Sequence, residues 1–164
     1  MQYDWIIIDG YNLAFRGGLL PAGCDNLEVV RHKIIQKAEA MLGYVTLRAS
    51  IIFDGRNLFR CENNPASPVV EVIFARGDLT ADGKITRMVI GHPNPSRILV
   101  VSSDRIIRNS VEAAGASSMS AGDFWEWSDR QSQNAHLGTS GINKPTARKF
   151  GGLSLGEIFP DSAE

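Results

Sequence analysis

Residues 3–10 read YDWIIIDG, and this stretch decides the fold. The short apolar run from Trp5 to Ile8 suits a buried strand. Asp9 closes it and Gly10 breaks it. The same pattern recurs in RASIIFD at 48–54, followed by Gly55, and in RILVVSS at 97–103, followed at once by Asp104. VVEVIF at 69–74 is a further strand, and residues 116–119 a short fifth one. Between them the apolar spacing turns helical. Over 26–42, Leu27, Val30, Ile34, Ile35, Ala38, Met41 and Leu42 share one face. Asp25 or Asn26 can cap its start and Gly43 marks its end. Residues 80–91 form a second helix capped by Thr80, and 104–114 a third that starts at Ser103 or Asp104. Ser120 with Asp123 resembles a capping box for a fourth over 121–128. Residues 55–67 are polar and read as a loop.

Strands that alternate with helices predict a three-layer α/β fold: about five parallel strands in the order 3-2-1-4-5, with helices on both faces. In such sheets a ligand binds beyond the carboxyl ends of the strands, where the strand order reverses. Asp9, Asp54 and Asp104 are therefore expected on one rim, with Asp82 close by in the first turn of its helix. The first and fourth strands meet at the reversal, which makes Asp9 and Asp104 neighbours. Clustered carboxylates repel unless a cation lies between them. A hard divalent cation with oxygen ligands, Mg²⁺ or Mn²⁺, is the expected cofactor. Each acid also has a plainer role open to it: Asp104 or Asp82 can cap a helix, and Asp9 and Asp54 precede glycines as turn residues do.

Other chemistries fit less well. A phosphotransferase with an aspartyl nucleophile needs a second acid where Tyr11 stands. A receiver domain needs an acidic pair and a late lysine, whereas the first strand offers only Asp9 and no lysine lies between Lys84 and Lys144. No G-x-G-x-x-G or G-x-x-x-x-G-K-[ST] loop is present, and Ser102 and Ser103 lack the G-x-S-x-G setting. His32, His92 and His136 show no ligand spacing.

The 164 residues are enough for one domain, 1–128, with 129–164 read as a poorly structured tail carrying a short helix near 153–159. Seventeen basic against eighteen acidic residues excludes a polybasic coat. The charge is uneven, however: residues 48–108 hold nine basic and six acidic side chains. Arg56, Arg76 and Arg105 belong to that stretch, and arginine suits planar capture of phosphate. No apolar run reaches the roughly 20 residues of a membrane helix. Cys24 and Cys61 match no metal spacing. Free thiols in a reducing cytoplasm are expected, and one disulfide between them stays open.

Four segments together resemble the NYN domain, in its YacP-like branch: IIIDGYNLAF at 6–15, IIFDG at 51–55, TADGKI at 80–85 and VVSSDR at 100–105. GASSMSAGDF at 115–124 resembles the closing segment of that family. The resemblance implies a PIN-like fold and a metal-dependent ribonuclease of the bacterial cytoplasm. Carried over position by position, Asp9, Asp82 and Asp104 match the metal ligands and, with Asn12, the catalytic set. Asp54 is an additional acid. Ser103 matches the small hydroxyl before the last acid and Arg105 the basic residue after it. The family often carries an acid where this chain has Thr86, a departure that thins the surroundings of the metal.

The implied substrate is single-stranded RNA, including ribosome-associated mRNA, with Arg105, Ser103, Arg56, Arg76 and Tyr11 as contacts. Tyr11, Phe15 or Phe59 can stack on an unpaired base. A second class stays open: a catalytically weak RNA-binding or ribosome-associated module of the same fold. A third is a nucleotide-binding domain without nuclease activity. No membrane partner is expected, and the sequence does not set an oligomeric state.

Overall fold

The computed structural model describes residues 3–19, 27–42, 48–55, 70–76 and 79–137. Five parallel strands form one sheet in the order β3-β2-β1-β4-β5, with β1 at Trp5–Asp9, β2 at Arg48–Asp54, β3 at Val70–Ala75, β4 at Ile98–Val101 and β5 at Ser117–Met119. The expected order holds. So does the shared rim: the carboxyl ends of all five strands lie on one edge, which carries Asp9, Asp54 and, just past β4, Asp104.

Helices α1 (Gly10–Arg16), α2 (Leu27–Leu42) and α5 (Ala121–Leu137) cover one face. Helices α3 (Ala81–Ile90) and α4 (Arg105–Ala113) cover the other. Alternation along β1 feeds both layers. Ile6 and Ile8 join Leu13, Val30, Ile34, Phe124 and Trp127 on one side; Trp5 and Ile7 join Ile85, Val89, Ile107 and Val111 on the other. Every residue of β1 is buried, as a central strand between two helical layers requires. The face read from α2 is buried at Val30, Ile34, Ala38 and Leu42, while Leu27 is left exposed at its start.

Two elements differ from the sequence reading. Gly10 ends the strand but opens α1, because Asp9 caps that helix: its Oδ1 accepts the Asn12 N–H at 3.2 Å. Only glycine fits there. A Cβ on Gly10 would stand 2.3 Å from the Phe53 ring. The helix expected over 121–128 continues to Leu137, nine residues past its expected end. Ser120 caps the helix, accepting the Asp123 N–H on Oγ at 3.1 Å, and its hydroxyl donates to Asp123 Oδ2 at 2.6 Å. The Asp123 side chain thus meets the Ser120 hydroxyl rather than its backbone N–H as in a full capping box. Beyond it, DRQSQNAHL contains neither Gly nor Pro before Gly138. Helix needs no apolar stripe to persist through such residues once it has been nucleated. Residues 138–164, with the short helix expected at 153–159, lie outside the described residues, as do Cys24, Arg56, Phe59 and Cys61. Among the described residues no helix is long and apolar enough to cross a membrane.

Candidate active site

The pairing of β1 with β4 runs as far as Ile8 opposite Val101. One step further it sets Asp9 beside Ser102, at the point where the strand order reverses. Both residues are buried. The Ser102 hydroxyl donates to Asp9 Oδ2 at 3.2 Å, and Ser102 Oγ accepts the backbone N–H of Asp104 at 3.2 Å. Asp9 and Asp104 are therefore joined through one serine rather than set face to face. Each also begins a helix: Asp104 Oδ1 accepts the Ile106 N–H at 2.7 Å at the start of α4. The helix-cap role and the site role of these two acids thus coexist.

Asn12 closes a second bridge. Its Oδ1 accepts the Ser103 N–H at 2.8 Å, and Ser103 Oγ accepts the Ala121 N–H at 3.1 Å. The starts of α1, α4 and α5 are thereby tied together around Asp9. With its carbonyl end engaged, Asn12 keeps the Nδ2 amino end for donation to a ligand. Ser103, expected to meet RNA, has its hydroxyl turned to α5.

Asp82 lies exposed in the first turn of α3. It does not cap that helix: Thr80 does, through Oγ1 accepting the Gly83 N–H at 3.2 Å. The plainer role open to Asp82 is thus filled by another residue, while its charge still reaches Asp9. Burial pushes the Asp9 carboxyl up from its ordinary 3.8 to about 6, and the charges of Asp82 and Asp104 add to the rise. The Asn12 N–H and the Ser102 hydroxyl pull in the other direction. Negative potential from two acids, Asp82 and Asp104, thus converges on the buried Asp9 carboxyl, and a cation would relieve it.

The donor set fits a hydrated divalent ion. Among the described residues, no three His, Cys, Asp or Glu side chains stand close enough to enclose an ion by themselves. Mg²⁺ does not require such a cage; it keeps several waters and is held by one or two carboxylates together with substrate phosphates. Asp9 and Asp104, with Asp82 beside them, would hold it.

The remaining expected residues lie further out. Asp54 ends β2 in partial burial, two positions beyond Ile52, the residue that pairs with Asp9. Arg76 follows β3, the edge strand, and is exposed. That places it two strand spacings, about 10 Å, from β1. Arg105 is exposed at the first position of α4, next to Asp104. Tyr11 packs edge-on against Phe53, with centroids 5.1 Å apart, so its ring belongs to the core wall. Phe15, one helical turn on, is 69% exposed. Ser102 is the site residue that the sequence reading passed over. Its only signal was its place immediately after an apolar strand that ends at the reversal point.

This fold and this edge define a PIN-like NYN domain. The chain belongs to the YacP-like NYN domain family, whose sequence model matches residues 6–151, a membership consistent with nuclease or RNA-related function. It is similar to YacP of Bacillus subtilis (strain 168), at 29% identity over 123 residues that make up 72% of this chain and 71% of that one. The crystal structure of Rae1 (YacP) from Bacillus subtilis superposes with a TM-score of 0.65 at 26% identity, covering 84% of this chain and 82% of that one. A mutant of the same protein gives 0.64 at 25% identity, with 82% and 80% covered.

Proposed function

We propose that this protein is a metal-dependent endoribonuclease that cleaves single-stranded RNA with Mg²⁺ or Mn²⁺. One observation carries the reading: Asp9 sits buried at the reversal point of the sheet, where burial first, and the charges of Asp82 and Asp104 in addition, push its carboxyl up to about 6. When bound, the ion supplies Lewis acidity toward a phosphoryl oxygen and makes water acidic enough to attack phosphorus.

The chain's own residues do the rest. Asp9 and Asp104 hold negative charge at fixed positions, because both are anchored as helix caps. Ser102 fixes the Asp9 carboxyl in orientation. Asn12 Nδ2 donates to a phosphate oxygen or a water at the mouth. Arg105, exposed beside Asp104, meets the backbone of the RNA. No side chain is needed as a covalent nucleophile.

A second reading is the RNA-binding module that cuts weakly. The open arrangement of the three acids favours it, since no three described ligands form a ready shell. Incubation of unstructured RNA with the purified protein in Mn²⁺, and separately in chelator, tests between the two. Cleavage that requires Mn²⁺ supports the nuclease. RNA retained intact in Mn²⁺ supports the binding module, and cleavage that persists in chelator overturns the metal reading.

A further inference from the structure

A cleft of about 460 Å³ runs between α3 and α4, and Asp82 is one of its lining residues. Asp82, Thr86 and Ile90 follow one another at four-residue spacing, so they share one face of α3. Ile106, Ile107 and Ser110 line the cleft from α4. Both helices begin at the strand-end edge, so the cleft starts at Asp82 and leads away from it. Its walls are aliphatic: Ile90 is 65% and Ile106 77% exposed, among the most exposed large apolar side chains of the described residues. Polar groups are few: the Asp82 carboxylate, the Thr86 hydroxyl, the Arg87 guanidinium, and Ser110 Oγ, which donates to the Ile106 carbonyl and so has only its lone pairs to offer.

We infer that this cleft is the subsite for the base of the nucleotide next to the phosphate held at the acids. The inference rests on the nuclease reading for its substrate. The volume lies in the range of small-ligand pockets, and mostly apolar walls with a few directed polar groups are the usual makeup of such pockets. Apolar side chains take the two faces of an unstacked base, while hydroxyls and an arginine address its edge. Continuity with Asp82 decides the occupant. Whatever fills the cleft lies beside the cation-binding acids, where a phosphate also has to lie. The cations fit the same occupant: Arg87 is on the rim, and Arg105 precedes Ile106 at the start of α4. Thr86 acts here as a neutral wall. An acid at that position would stand one turn from Asp82 and repel a nucleotide.

The test uses the full chain with isoleucine methyl groups labelled, in Mg²⁺, titrated with adenosine 5′-monophosphate and with ribose 5-phosphate. Neither probe contains a phosphodiester bond to cut. Saturable shifts of the Ile90, Ile106 and Ile107 methyls by the nucleotide, absent with the base-less sugar phosphate, are expected. Ile106→Ser and Thr86→Glu, both at solvent-accessible positions, are expected to weaken nucleotide binding about tenfold. Equal shifts with ribose 5-phosphate, or nucleotide shifts confined to other residues, would overturn the inference. So would methyl shifts that follow protein concentration alone, which would assign the cleft to contact between copies of the chain. The same protein is assayed for RNA cleavage in parallel. Cleavage without shifts in the cleft defeats the subsite and leaves the nuclease standing; shifts in the cleft without cleavage do the reverse.

Discussion

Ser102 Oγ lies 3.2 Å from Asp9 Oδ2 and accepts the Asp104 N–H at the same distance, so one buried hydroxyl sets the spacing of two acids 95 residues apart. Ser102→Ala removes the hydrogen bond that holds the Asp9 carboxylate and leaves the Asp104 N–H without its side-chain acceptor. The expected cost is about 1–3 kcal/mol, the usual penalty for a buried polar group that loses its partner. Urea unfolding in chelator checks the cost. Carboxyl ¹³C titration should show Asp9 moving further upward, because a group that favours its charged form has gone.

The raised Asp9 makes stability depend on pH in a defined direction. Its folded value, about 6, lies above the ordinary 3.8, so the protonated form is the one that folding favours. Its contribution is fully present below pH 4 and is lost as the pH rises through 6. At pH 7 and above, without a divalent ion, the loss amounts to about 3 kcal/mol. Asp9→Asn keeps a capping oxygen for Asn12 and carries no charge. Thermal unfolding in chelator should find the variant more stable than wild type at pH 7.5 and similar to it at pH 4. A gap that is constant across this range would refute the assignment. Taking the difference between the two proteins cancels the exposed Asp4–Arg97 ion pair, which titrates in both.

Gly10 is fixed by packing rather than by backbone angle, since its φ is not positive. Gly10→Ala drives a methyl into the Phe53 ring, whose own ring contacts are Tyr11 at 5.1 Å and Phe74 at 5.8 Å between centroids. Because Phe53 is fully buried, the ring cannot leave without disturbing its neighbours. A loss of about 1–3 kcal/mol is expected, as for other overpacked cores. Equilibrium denaturation checks it, and a near-UV spectrum should report the shifted aromatic cluster.

The shared acidic edge was legible because β1, β2 and β4 each announced themselves twice, by an apolar run and by the aspartate at or just past its end. Asp9, Asp54 and Asp104 could be placed on one edge from that pattern alone. Helix α1 was not legible, because Gly10 reads as a breaker and only tertiary contact with Phe53 explains a glycine at the first position of a helix. The length of α5 was hidden for a different reason: residues 129–137 lack apolar periodicity, which is the signal for packing and not for helix itself. At the site, the sequence pointed to the acids but not to their connections. Ser102, the Asn12–Ser103 bridge and the Ser103–Ala121 bond depend on the register between β1 and β4 and on how three helix starts meet, and no local spacing encodes either.

Asp104→Asn keeps the hydrogen bond to the Ile106 N–H and removes one charge from the edge. Folding should therefore survive in this variant, while any function that needs the charge should not. Circular dichroism and a cleavage assay in Mn²⁺ on the same preparation separate the two. A folded protein with at least a roughly hundredfold lower rate is expected, since the loss of a ligand is felt in both ion affinity and transition-state charge.

The most direct measurement is a calorimetric titration of Mn²⁺ into wild type, Asp9→Asn and Asp104→Asn at pH 7.5. Expected is saturable binding by the wild type, and affinity at least about tenfold weaker in either variant while both remain folded. Identical binding isotherms for the three proteins, or no binding by the wild type at millimolar Mn²⁺, would contradict a cation site built on Asp9 and Asp104.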